Sequence, residues 1–91
     1  MLQVRRVVGP SMEPTYQTGT VVLGLKWLRP KVGSVVVAEH DGRELIKRVA
    51  RVEAQGLYLL GDNSDYSTDS RTYGWFAPKD VKSVIIGSIQ L

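Results

Sequence analysis

The chain of 91 residues contains no cysteine. That excludes a disulfide framework, a thiolate nucleophile and a thiolate metal site. There is a single histidine, His40, which leaves too few ligands for a histidine-built metal site. Aromatic residues make up 8% of the chain, with one Phe, and no apolar run approaches the ~18 residues that a membrane-spanning helix needs. Arg5 and Arg6 lead into Gly9-Pro10 rather than an apolar segment, so no secretory leader is visible. The length itself leaves little room for a second domain, since domains run to roughly 50–250 residues. What is present is globular: 43% hydrophobic and 23% charged residues, too apolar for disorder.

The net charge of +3 is unevenly placed. Met1–Arg51 holds nine Lys/Arg against four Asp/Glu; Val52–Leu91 holds three against five. A basic face attracts phosphate, in lipid or in nucleic acid. No zinc-finger, helix-turn-helix or RNP-like pattern accompanies it, and nucleic acid is not expected as a partner.

No window carries a sustained 3.6-residue apolar period, whereas short β-branched runs alternate with turn signals. Leu2–Val8, Thr20–Leu25, Ser34–Glu39, Arg43–Glu53, Leu57–Leu60 and Val81–Leu91 read as strands. Asp41-Gly42 is the dipeptide favoured in a two-residue hairpin turn. Gly61–Gly74 reads as a structured polar loop. The expectation is one all-β domain over residues 1–91, built from antiparallel hairpins.

Three segments carry chemistry. In the first, Pro10 and Pro14 stiffen the backbone around Ser11. A hydroxyl on such a bend suits a nucleophile, and its own N–H could receive a developing oxyanion. The same residues also read as a proline-capped turn with an ordinary exposed serine. A nucleophilic serine needs a base. His40 is one candidate, but it sits beside a hairpin turn. Lys47 is another: period-2 alternation in Leu45-Ile46-Lys47-Arg48-Val49 puts it on the face of Leu45 and Val49. Burial there would favour the neutral amine, while a sheet-edge lysine would instead reach out to water. The third segment, Gly61–Arg71, has acidic spacing that suggests a calcium loop. Counted from Asn63, however, Thr68 stands where glycine is required and Gly74 where the bidentate Glu belongs. An Asp69–Arg71 ion pair bracing the loop fits these residues better, with a loop hydroxyl to orient a buried lysine.

Ser11-Met12-x-Pro14-Thr15, Ile46-Lys47-Arg48-Val49 and Gly61-Asp62-Asn63-x-x-x-Ser67-x-Asp69-Ser70-Arg71-x-x-Gly74 together resemble the type I signal peptidase family. The resemblance extends through Pro78-Lys79-Asp80-Val81 and Ile86-Gly87. It implies a signal peptidase/LexA-like fold and a serine endopeptidase that cleaves exported preproteins after small residues, typically Ala-x-Ala. Ser11 would be the nucleophile and Lys47 the general base. Ser67 would hydrogen-bond the lysine amine, and Asp69 with Arg71 would support the site. Gly9 stands where some members carry an oxyanion hydroxyl, leaving a backbone donor or water at that place. Val7, Met12, Tyr16 and Ile46 would form the small-residue subsites. No metal or cofactor is implied.

The sequence departs from the family pattern in several places. Tyr16 stands where leucine is usual. Gly19-Thr20 and Gly33-Ser34 replace Gly-Asp turns. Only 13 residues separate Lys47 from Gly61, where many members insert a further β-domain. No anchor precedes the serine motif. An anchored member would hold this domain against the membrane on its extracytoplasmic face; an unanchored one, like the nickel superoxide dismutase maturation proteases, would be cytoplasmic and trim one precursor. Trp27-Leu28, flanked by Lys26, Arg29 and Lys31, forms a tip suited to anionic lipid, and reads equally as a partly packed loop. A self-cleaving LexA-like regulator and a non-catalytic lipid-binding β-module are the remaining readings.

Overall fold

In this computed structural model, which describes residues 1–90, the expected strands form with small changes at their ends. They are β1 (Leu2–Arg6), β2 (Val21–Leu25), β3 (Val35–His40), β4 (Arg43–Glu53), β5 (Gly56–Leu60) and β6 (Val81–Ile89). The expectation that the last strand reaches Leu91 falls partly outside the described residues. All six strands join one antiparallel sheet in the order β1-β2-β6-β3-β4-β5. The fold is all-β, as the alternation and turn signals imply.

Hairpins join β3 to β4 and β4 to β5. In the first turn Asp41 and Gly42 both take positive φ, 51° and 78°, which is why this dipeptide serves there. β6 inserts between β2 and β3, so the two halves of the sheet are joined by pairing between segments distant in sequence. Bulges interrupt the ladders at Leu23/Gly24, Val37/Ala38 and Val49/Arg51. Such insertions bend a strand and increase its twist.

The core consists of Val36, Ala38, Val49, Leu57, Leu59, Phe76 and Val84. Leu45 packs partly against it, which sets the buried face of β4. Lys47 and Val49 lie on that same face by alternation, and both are buried.

The polar loop after β5 is structured, as its composition implies. It holds a 3₁₀ turn at Ser64–Tyr66 and a single helical turn, α1 (Ser70–Tyr73), and a further 3₁₀ turn follows at Pro78–Asp80. Asp69 caps α1 by accepting from the Arg71 N–H. Ser70 is buried, and its hydroxyl accepts from the Leu59 N–H at 2.8 Å. Leu57 and Phe76 exchange two backbone bonds of 2.8 Å. The loop is thus stitched to β5 at both ends.

Candidate active site

Ser11 lies on a turn between β1 and β2, held by Glu13 N–H to Pro10 C=O (3.0 Å) and Tyr16 N–H to Met12 C=O (2.8 Å). Lys47 reaches this turn from the buried face of β4. Its Nζ is 2.8 Å from Ser11 Oγ. The lysine is only 4% exposed. Burial lowers its pKa from the ordinary lysine value; the Asp69 carboxylate opposes that shift and Arg71 adds to it.

Asp69 is fully buried. Burial alone would raise its pKa, but donors outweigh it. The Arg71 guanidinium binds both carboxylate oxygens at 3.0 Å, and Gly61 N–H and the Ser67 hydroxyl donate to Oδ2 at 2.9 and 2.7 Å. The carboxyl is held well below the usual carboxylate range. Ser67 therefore differs from expectation: it bonds Asp69, not the Lys47 amine. The Ser67 hydroxyl spends its one proton on that carboxylate and keeps its lone pairs as acceptors. Arg71 also donates to the Ser64 carbonyl at 2.9 Å, tying the pair to the loop.

A second network, whose residues the sequence motifs contain but whose role alternation does not disclose, clamps the serine turn. Arg48 grips Asp62 with two bonds of 2.9 and 2.8 Å, and Thr15 Oγ1 donates to the same carboxylate at 2.6 Å. Asn63 donates through its backbone to the Ser11 carbonyl (2.9 Å) and through its side chain to the Pro10 carbonyl (3.1 Å). Arg48 also lowers the Asp62 pKa. Gly61 sits where a Cβ would run into the Ser67 side chain and the Ser11 carbonyl, so the two loops approach as closely as glycine allows.

The backbone donors around Ser11 divide. Gly9 has φ 86°, and its N–H is taken by Thr18 Oγ1 at 3.0 Å, so it is not free for an oxyanion. The Ser11 N–H donates to no acceptor among the described residues.

A cavity of about 280 Å³ opens beside the pair. Arg5–Val8 form one wall and Glu44–Lys47 the other, with Ser11 and Met12 at the end. Val7, Met12 and Ile46 thus line one cavity; Tyr16 is not among the lining residues, its position being fixed by the turn that follows Met12. β1 pairs only with β2, and β4 pairs with β5 only from Arg48 onward. Two unpaired strand edges therefore flank this cavity.

His40 lines a second cavity, of about 380 Å³, that Ser11 and Lys47 also line, but among the described residues its side chain makes no hydrogen bond to either of them. It is half-buried at the end of β3, its ring stacked 4.0 Å from that of Tyr73. No cluster of three metal-ligating side chains occurs among the described residues.

No curated protein matches the chain. The sequence model of one family, described as Peptidase S24-like, matches residues 2–88, so the chain belongs to that family of peptidase-type hydrolases within the LexA/signal peptidase-like superfamily.

Proposed function

We propose that the chain is a serine endopeptidase of the signal peptidase I type, with Ser11 as nucleophile and Lys47 as general base. The observation that carries this reading is the 2.8 Å approach of a buried lysine amine to a serine hydroxyl on a clamped turn. At the ordinary pKa only about one lysine in 2,500 is neutral at pH 7, so burial is what makes Lys47 available as a base.

The neutral amine takes the Ser11 proton as Oγ attacks the peptide carbonyl. The Ser11 N–H is free to donate to the developing oxyanion. The Lys47 ammonium then protonates the leaving amine as the C–N bond breaks, leaving an acyl ester on Ser11. The neutral amine next deprotonates a water that attacks the ester. Collapse of that intermediate returns the proton to Ser11 and frees the carboxylate product.

An extended peptide fits between the two unpaired strand edges, with hydrogen-bonding groups on both sides. Val7, Met12 and Ile46 leave a narrow apolar recess beside Ser11, which suits a small residue before the scissile bond. This agrees with preproteins cleaved after Ala-x-Ala, the substrate class the motif resemblance implies. Membrane contact belongs to the same reading. Trp27 is 71% exposed and Leu28 41%, next to the cations Lys26, Arg29 and Lys31. No helix among the described residues is long and apolar enough to cross a membrane. Anchored to a membrane, the site would work on the extracytoplasmic face; without an anchor it would trim a precursor in the cytoplasm.

The family match also supports a self-cleaving LexA-like regulator. That reading requires cleavage within the same polypeptide, at a rate independent of concentration. The deciding experiment incubates an Ala-x-Ala signal peptide with the native chain, Ser11→Ala and Lys47→Ala. Cleavage by the native chain alone is expected. Equal rates in all three would overturn the reading.

A further inference from the structure

The walls of the cleft carry two tiers of side chains. Val7 and Ile46 form the tier nearest Ser11. Two residues further along each strand, on the same face by alternation, stand Arg5 and Glu44. These two charges meet across the gap: Arg5 Nε is 2.6 Å from Glu44 Oε1, and Arg5 Nη2 is 3.1 Å from Oε2. The contact joins residues 39 apart in sequence. Each partner holds the other charged: the bond to Glu44 raises the Arg5 pKa, and the bond to Arg5 lowers that of Glu44. Arg6, the neighbouring cation, also lines the cavity, and its guanidinium donates to the Gly19 carbonyl.

An extended peptide repeats its side-chain direction every two residues, about 6.6–6.8 Å. If one small residue faces Val7 and Ile46, the residue two places before it faces the Arg5–Glu44 bridge. We infer that this ion pair is the specificity determinant for that second position. It closes the tier to bulky side chains, and it turns away charged ones of either sign, because each incoming charge meets one like charge and must break the bridge to use the other. Removing one partner converts exclusion into selection for the charge opposite to the one that remains. The inference rests on the peptidase reading above, with the residues before the scissile bond lying in this cleft.

The test uses four peptides that differ only two places before the scissile alanine, carrying Ala, Leu, Glu or Lys there. Each is assayed for kcat/KM with the native chain, Glu44→Ala, Arg5→Ala and the charge-swapped double variant Arg5→Glu/Glu44→Arg. The native chain should favour Ala over both charged peptides. Glu44→Ala should raise the Glu-to-Lys preference about five-fold, and Arg5→Ala should shift it about as far the other way, the scale of a part-exposed ion pair. The swapped pair should restore the native ranking, which a merely structural loss would not do. A Glu-to-Lys ratio constant within about two-fold in every variant overturns the inference. The dissociation constants of the same peptides are measured on a Ser11→Ala background. Shifted binding ratios without any cleavage by the native chain would overturn the catalytic reading and keep this inference. Ser11-dependent cleavage with a constant ratio would do the reverse. Peptides that are neither bound nor cleaved would overturn both.

Discussion

Asp69 and Lys47 are both ionisable side chains withdrawn from water in one site, and their surroundings treat them oppositely. Asp69 receives two bonds from the Arg71 guanidinium, one from its N–H, one from Gly61 and one from Ser67. Lys47 has one neutral partner, the Ser11 hydroxyl. Burial pushes each toward its uncharged form. Hydrogen bonding reverses that push at Asp69 and leaves it standing at Lys47. One group is fixed as an anion that braces the loop; the other is left ready to exchange a proton.

The largest way to break the contrast is at the lysine. Lys47→Met and Ser11→Ala should each lower kcat/KM by about a thousand-fold or more, and the double variant should be no worse than either alone, because the two act as a unit. At the same time Lys47→Met should stabilise the fold at neutral pH by about 1 kcal/mol, read from urea unfolding. The direction follows from linkage. The Lys47 pKa is lower folded than unfolded, so the folding penalty is fully present below the folded value and disappears as pH rises toward ~10.4. The gain from Lys47→Met should therefore shrink between neutral pH and pH ~10.

The converse holds for the carboxylate. Asp69→Asn replaces an acceptor of several bonds by a group that is half donor, and should cost about 2–4 kcal/mol of stability. Because the Asp69 pKa is lowered by folding, its contribution is complete above pH ~4 and is lost as pH falls through the folded value. The gap between native and variant should close in an acid titration of stability. Gly61→Ala comes next, at about 1–3 kcal/mol, since the added methyl displaces Ser67 or the Ser11 turn. Ser67→Ala is the smallest. It removes one donor to Asp69, worth about 1 kcal/mol, and should leave the midpoint of the pH–activity curve in place. A large shift of that midpoint would mean that Ser67 acts on the lysine directly.

These features differ in how far the chain itself discloses them. The strands follow from β-branched runs and turn dipeptides, which act over a few residues. The burial of Lys47 follows from its alternation with Leu45 and Val49. The insertion of β6 between β2 and β3 depends on pairing between distant segments, for which no local pattern exists. The meeting of Arg5 with Glu44 depends on how the curved sheet brings β1 to β4, and no motif marks it. Asp62 and Asn63 stand in a recognisable motif, yet their hold on Thr15, Pro10 and Ser11 emerges only in three dimensions. Ser67 is the instructive miss. The motif identifies the residue, but that its hydroxyl donates to Asp69 emerges only from the folded loop. Tyr16 follows the motif in sequence and then turns out of the cleft, since the turn after Met12 sets its direction.

The central claim, that burial makes Lys47 a base for Ser11, is tested most directly by kcat/KM for an Ala-x-Ala peptide as a function of pH. The account predicts activity that rises through an apparent pKa well below the ~10.4 of a free lysine and vanishes in Lys47→Met. A profile flat from about pH 6 to 10, or one that rises only near the free-lysine value, would contradict it.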